Sequence, residues 1–185
     1  MRNQKGITLI ALIVTIIVLI IIAGISIATL TADNGILRQT DSAKISTIEG
    51  TVREEVDLAC AAVRLAIAEA QAKNNNYNAT HHAKTIQDTL VAELGRDSAL
   101  AGDTYATSTK DLNGATVTDP TDTTAGVNTF YISFTSAEYQ NACNDANAII
   151  IVKIDLAQSS IARTGFEGFD TSSSINSIKA NEIGG

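Results

Sequence analysis

The chain of 185 residues has no tryptophan, one proline and two cysteines, and only four phenylalanines and four tyrosines. Large rings therefore cannot fill much of a core, which must lean on Ala, Ile and Val. Basic residues are outnumbered, with 13 Lys and Arg against 20 Asp and Glu and a formal net charge of −7. An acidic chain without a long block of like charge argues against phosphate-backbone binding as a main activity, and no direct nucleic-acid partner is expected. No segment recurs at a period of about 20–50 residues, so a repeat architecture is not expected.

A further absence is local. Between Gly6 and Ala32 there is no charged residue. As a helix, the stretch ITLIALIVTIIVLIIIAGISIATL (residues 7–30) would be about 36 Å long, enough to cross a bilayer core of about 30 Å with a little tilt. A secretory signal has an apolar region of only about 7–15 residues before its cleavage site. This run is longer, although Leu30-Thr31-Ala32 offers a weak match to such a site and removal there is the alternative. Arg2 and Lys5 precede the run, while Asp33, Arg38, Asp41 and Lys44 follow it as a mixed set. The positive flank places the N-terminus inside and the rest of the chain outside.

Downstream the pattern changes. Asp33-Asn34-Gly35 interrupts the helical reading with residues that tolerate left-handed backbone or cap a new start. From Ile36 the helix resumes. Ile45, Ile48, Val52, Val56, Cys60, Val63, Ile67 and Ala70 recur at spacings of three and four, a single apolar stripe. Glu49, Arg53, Asp57 and Arg64 fall on the opposite face, where Glu49–Arg53 and Arg53–Asp57 are placed to pair. Asn74-Asn75-Asn76-Tyr77-Asn78 ends this helix. Residues 85–94 predict a short helix closed by Gly95, with Ile86, Leu90, Val91 and Leu94 on one side.

The period then falls to two. Asn113-Gly114 predicts a tight hairpin between strands at 110–112 and 115–118. Residues 129–135 alternate, with Phe130, Ile132 and Phe134 on one face. Residues 148–156 form the strongest strand, with Ile150, Val152, Ile154 and Leu156 facing one way, and residues 160–164 return as another. An antiparallel sheet with one apolar face would bury the helix stripe. Residues 171–185 are polar and read as a flexible tail.

Chemistry is thin in this outer part. His81-His82 are adjacent and cannot share a face of a helix or strand, so they read as solvated loop residues and not as a metal site. Asn144, Asp145 and Asn147 offer oxygens, but their spacing fits a turn better than a calcium loop. Gly165-Phe166-Glu167-Gly168-Phe169 reads as a loop with two rings engaged in local packing. Cys60 lies on the packed stripe, poorly placed for a nucleophile. Cys60 and Cys143 form a disulfide in one reading and two buried free thiols in the other. No catalytic residue, metal or cofactor is expected.

Lys5-Gly6, followed by Ile7-Thr8-Leu9-Ile10 and the unbroken apolar run, resembles the class III signal of type IV pilins and pseudopilins. Lys-Gly-Ile-Thr-Leu-Ile-Ala-Leu-Ile-Val looks like the variant found in Gram-positive, clostridium-like bacteria. The resemblance covers residues 5–37, with Asp33-Asn34-Gly35-Ile36-Leu37 included; beyond them only the layout is similar. It implies that a membrane-embedded aspartyl prepilin peptidase reads Lys5 and Gly6 and cuts between Gly6 and Ile7. Ile7 then becomes the N-methylated first residue, and the apolar helix is kept. That helix is solvated by membrane lipid before assembly and by like subunits or other pilins afterwards. A cytoplasmic-membrane assembly platform with its ATPase is the implied machinery.

The implied fold is α+β and pilin-like: a long N-terminal helix packed on a small antiparallel sheet. Its parts are a leader at 1–6, a transmembrane and filament-core helix at 7–32, an amphipathic continuation at 33–74, a globular head at 75–170 and the tail at 171–185. One residue departs from the family. Many members carry Glu at the fifth mature position, where it pairs with a neighbour's terminal amine; here that position is Ala11, which cannot compensate a charge in an apolar core. The implied function is a structural subunit of a type IV pilus-like surface filament. The alternatives are a pseudopilin of a type II secretion or DNA-uptake machine, and a singly anchored surface binding domain that never polymerises.

Overall fold

A computed structural model describes residues 4–31, 36–97, 103–169 and 178–179, with side chains described at 11–27, 39–96 and 103–168. The chain forms two compact units, Met1–Ala43 and Lys44–Gly185.

In the first unit, helix α1 spans Gln4–Thr31, 28 residues. It runs without proline, and Gly24 within it has open space around it. The hydroxyls at its described positions bond back to the helix: Thr15 Oγ1 donates to the Leu12 carbonyl and Ser26 Oγ to that of Ile22, each at 2.8 Å. Helix α2 spans Ile36–Lys73. The interruption expected at Asp33-Asn34-Gly35 lies outside the described residues.

The second unit is α+β. Most of α2 belongs to it and carries the apolar stripe: Ile48, Val52, Val56, Cys60, Val63 and Ile67 are all buried, with Ile45 partly so. A 3-10 turn at Ala79–His82 leads into α3, Ala83–Asp97. On α3 Ile86, Leu90 and Leu94 are buried and Val91 partly so, as the spacing predicts. Gly95 does not end this helix, which continues to Asp97.

The sheet has the order β1-β2-β3-β4-β5, each strand antiparallel to its neighbour. Its strands are β1 (Thr104–Thr107), β2 (Thr129–Thr135), β3 (Ile149–Ala157), β4 (Ser160–Phe169) and the two-residue β5 (Ile178–Lys179). Between β2 and β3 the register sets Phe130 opposite Ile154, Ile132 opposite Val152 and Phe134 opposite Ile150. All six are buried in one core with the α2 stripe and Leu90 of α3. Side-chain period two on the strands and spacings of three and four on the helices thus meet in a single apolar layer.

Several local expectations are corrected. The strands flanking Asn113-Gly114 reduce to an isolated bridge, Lys110 to Thr116. β4 does not stop at Thr164 but continues through Gly165-Phe166-Glu167-Gly168-Phe169. The glycines that suggested a loop are places of close approach: a Cβ at Gly165 would collide with the Leu112 side chain, and one at Gly168 with the Tyr139 hydroxyl. A register shift at Lys153/Ile154 lets the long strand keep its pairing. β1 and the short helix α4 (Ala137–Cys143) were not predicted. In the tail, Ile178 and Lys179 pair with Phe169 and Gly168; the other tail residues lie outside the described ones.

Glu49 is the largest departure on α2. It was placed on the solvated face, yet it is 3 % exposed, beside Gly168. Asp57 takes Arg163 of β4 as a partner. Arg53 instead lies over the Phe166 ring, 4.3 Å from its centre, a cation–π contact.

Candidate functional site

Lys5, Gly6 and Ile7, where the resemblance implies a leader junction, lie on the helical backbone of α1, which starts at Gln4. Their side chains lie outside the described residues, as do those of Leu30 and Thr31 and the whole of Ala32. Ala11 is the first described side chain and is exposed. From there to Ile27 every side chain is exposed, and the apolar ones point in all directions: Leu12 is 60 % exposed, Leu19 65 % and Ile27 62 %. Leaving twelve such Leu, Ile and Val side chains in water forgoes roughly 20 kcal/mol of burial. α1 therefore needs an apolar environment on every side. Among the described residues no helix is long and apolar enough to cross a membrane; on α1 those side chains cover only residues 11–27, less than the 7–32 run.

α2 adds a smaller apolar exposure that the stripe analysis missed. Leu58 and Leu65 are 70 % and 64 % exposed. Seven residues apart, they share one face of the helix. Ala61 and Ala62, also exposed, lie between them. A hollow of about 110 Å³ opens beside Leu58, lined by Ala59, Ala62, Glu93, Leu94 and Arg96. The sequence signal was available: these residues form a second apolar line on a helix whose first line was already assigned to the core.

The polar candidates of the head are accounted for by local structure. His82 stacks on Tyr77 with ring centres 4.7 Å apart, and the His81 backbone N–H bonds to the Asn78 carbonyl at 3.0 Å. Asn144 adopts the left-handed conformation that ends α4, at φ 54°. Asp145 is buried and its Oδ1 accepts the Asn147 N–H at 2.9 Å, so Asn144, Asp145 and Asn147 form a cap and turn. Among the described residues no group of His, Cys, Asp and Glu could hold a metal. Phe166 is buried beneath Arg53, in keeping with packing and not with a binding platform.

Cys60 and Cys143 are both buried and no disulfide joins them, which is the second of the two readings. Burial first, and Asp57 next to it second, push the Cys60 thiol up to about 11. It stays protonated at neutral pH and is a poor nucleophile. Tyr105 donates its hydroxyl to Glu55, and its ionisation is pushed far up by burial and then by that carboxylate. This pair ties β1 to α2.

The site elements thus divide. Among the described residues the head contributes packed polar pairs. The helices contribute apolar surface in excess of what the fold covers. No family model, curated protein or solved structure matches the chain.

Proposed function

We propose that the chain is a structural subunit of a type IV pilus-like surface filament, held in the cytoplasmic membrane before assembly with its N-terminus inside and its head outside. The observation that carries this reading is α1, apolar and exposed on all sides at its described positions, joined to a separately compact α+β head. A helix of that kind is at home in lipid or among like helices. Moving it from the first to the second costs little hydrophobic energy, so close packing decides association. Ala23, Gly24 and Ala28 offer small surfaces for close approach. In this reading the head is cargo on the outside of a helical core, and it needs no reactive site.

Processing tests the proposal most directly. A prepilin peptidase leaves a mature chain that begins with N-methylated Ile7, after loss of residues 1–6. Mass analysis of the N-terminus from the native membrane or filament fraction should find it. A start at Asp33, or an intact Met1, removes the pilin reading.

A further inference from the structure

The loop around Asn113-Gly114 has no part in the filament reading, yet it is closely tied to one residue. Asp111 donates its N–H to the Ala115 carbonyl at 2.9 Å and accepts the Gly114 N–H on its own carbonyl at 3.0 Å. Its Oδ1 accepts the N–H of Asn113 at 2.8 Å and of Ala115 at 2.9 Å. Gly114 holds φ 77°, a conformation that favours glycine. Asn113 itself is exposed.

We propose that Asn113 is a self-modification site held closed by Asp111. Asparagine followed by glycine is prone to imide formation, because no Cβ on the second residue hinders its nitrogen from approaching the side-chain amide. The Gly114 backbone nitrogen, once deprotonated, attacks Asn113 Cγ. A new C–N bond forms, the bond to the side-chain nitrogen breaks, and that nitrogen leaves as ammonia with a proton. Water then opens the five-membered imide at either carbonyl, giving aspartate or isoaspartate. Water enters and ammonia leaves; no oxidant or reductant is involved.

The turn opposes the first step in two ways. The Gly114 N–H that must be lost is engaged with the Asp111 carbonyl. The Asn113 N–H is fixed on Asp111 Oδ1, so the backbone cannot rotate toward the imide without breaking charge-assisted bonds. Local opening must precede reaction, and Asp111 sets how often it occurs. The loop also has something to lose. Leu112, its neighbour, packs against Gly165 of β4, and an isoaspartyl link would lengthen the backbone beside it. The inference holds whether or not the chain polymerises.

The test is a time course on the full-length chain in detergent, at mildly alkaline pH. Peptide-mapping mass spectrometry follows the amide-to-acid exchange at Asn113 in the wild type, in Asp111→Ala and in Asp111→Asn, which keeps an Oδ1 acceptor. A free peptide of residues 109–117 gives the unprotected rate. The wild type should react at least about tenfold more slowly than the peptide, and Asp111→Ala should recover most of that difference, because two bonds to a charged acceptor are lost. Asp111→Asn should lie closer to the wild type. A wild-type rate equal to the peptide's overturns the proposal. So does an Asp111→Ala rate no faster than wild type, or an Asp111→Asn rate as fast as Asp111→Ala with both variants melting like the wild type. Should Asp111→Ala melt early, the wild-type-to-peptide ratio and Asp111→Asn decide.

Discussion

Arg163 on β4 grips Asp57 on α2 with two parallel bonds, Nε to Oδ1 at 2.9 Å and Nη2 to Oδ2 at 3.0 Å. Two turns further along α2, Arg64 Nε donates to the Ile161 carbonyl of β4 at 2.7 Å. The polar flank of the helix is therefore laced to β4 beside the apolar stripe. The Asp57 side chain remains 53 % exposed, so the fork contributes geometry more than energy. A double-mutant cycle with Asp57→Ala and Arg163→Ala should give a coupling of about 1 kcal/mol or less that weakens further at about 1 M salt. A coupling of several kcal/mol, unchanged by salt, would mean that the pair is far more desolvated than its exposure shows.

The apolar stripe carries the larger share of stability. Val56 is 0 % exposed, within the core formed with Phe130–Ile154 and Ile132–Val152. Val56→Asp places an unpaired carboxylate there and should cost several kcal/mol. Thermal unfolding of the chain in detergent would report it as a large fall in Tm of the head. If Val56→Asp melts with the wild type, the helix-on-sheet core is wrong.

That core was legible because two independent periods agree. The α2 stripe and the alternations of β2 and β3 each demand a cover, and each supplies the other's. Glu49 was not legible: helix spacing alone puts it on the polar face, and only the approach of Gly168 on β4 and Tyr139 on α4 encloses it. The same long-range contacts hid the second half of β4, since glycines that make room for Leu112 and Tyr139 look locally like turn residues. β1 and α4 are too short, at 4 and 7 residues, to show a period. The candidate site was legible in a different way. The apolar run announces an apolar environment from its residues, whereas a cut after Gly6 is implied only by resemblance.

Asp122 offers a test in acid. It lies in the loop before β2 and reaches back to the start of α3, accepting the N–H groups of Lys84 at 2.9 Å and Thr85 at 3.2 Å and the Thr85 hydroxyl at 2.6 Å. Desolvation pushes its carboxyl up, but the Thr85 hydroxyl, the two amides and nearby His82 outweigh it and hold it below the usual range. A depressed folded pKa means stability that is present above the unfolded value of about 3.9 and lost as pH falls through the folded one. Urea unfolding should therefore find Asp122→Ala weaker than wild type by a constant margin between about pH 5 and 7, narrowing below about pH 4. A margin that persists undiminished in strong acid would assign the loss to packing and not to the charged cap.

Ala11 tests assembly itself. Where family members carry Glu, a carboxylate meets a neighbour's terminal amine in an apolar surround; Ala11 removes that group. A filament of this chain alone must then rest on packing between Ile- and Val-rich faces, or a partner pilin must bring the Glu and recruit this chain as a minor component. The described part of α1 favours the first. Between Ala11 and Ile27 its polar side chains are the hydroxyls of Thr15 and Ser26, and both are already bonded to their own helix, so neither is committed to the amine. The apolar surface is continuous around them. Expressed with the assembly machinery and no other pilin, the wild type should form fibres visible by electron microscopy. Ala11→Glu should be neutral or harmful, because a buried carboxylate costs more than it returns unless its pairing is complete. Absence of wild-type fibres, with rescue by Ala11→Glu, would reverse the conclusion: pairing and not packing would then drive assembly, and the chain would be a minor subunit that depends on a partner's carboxylate.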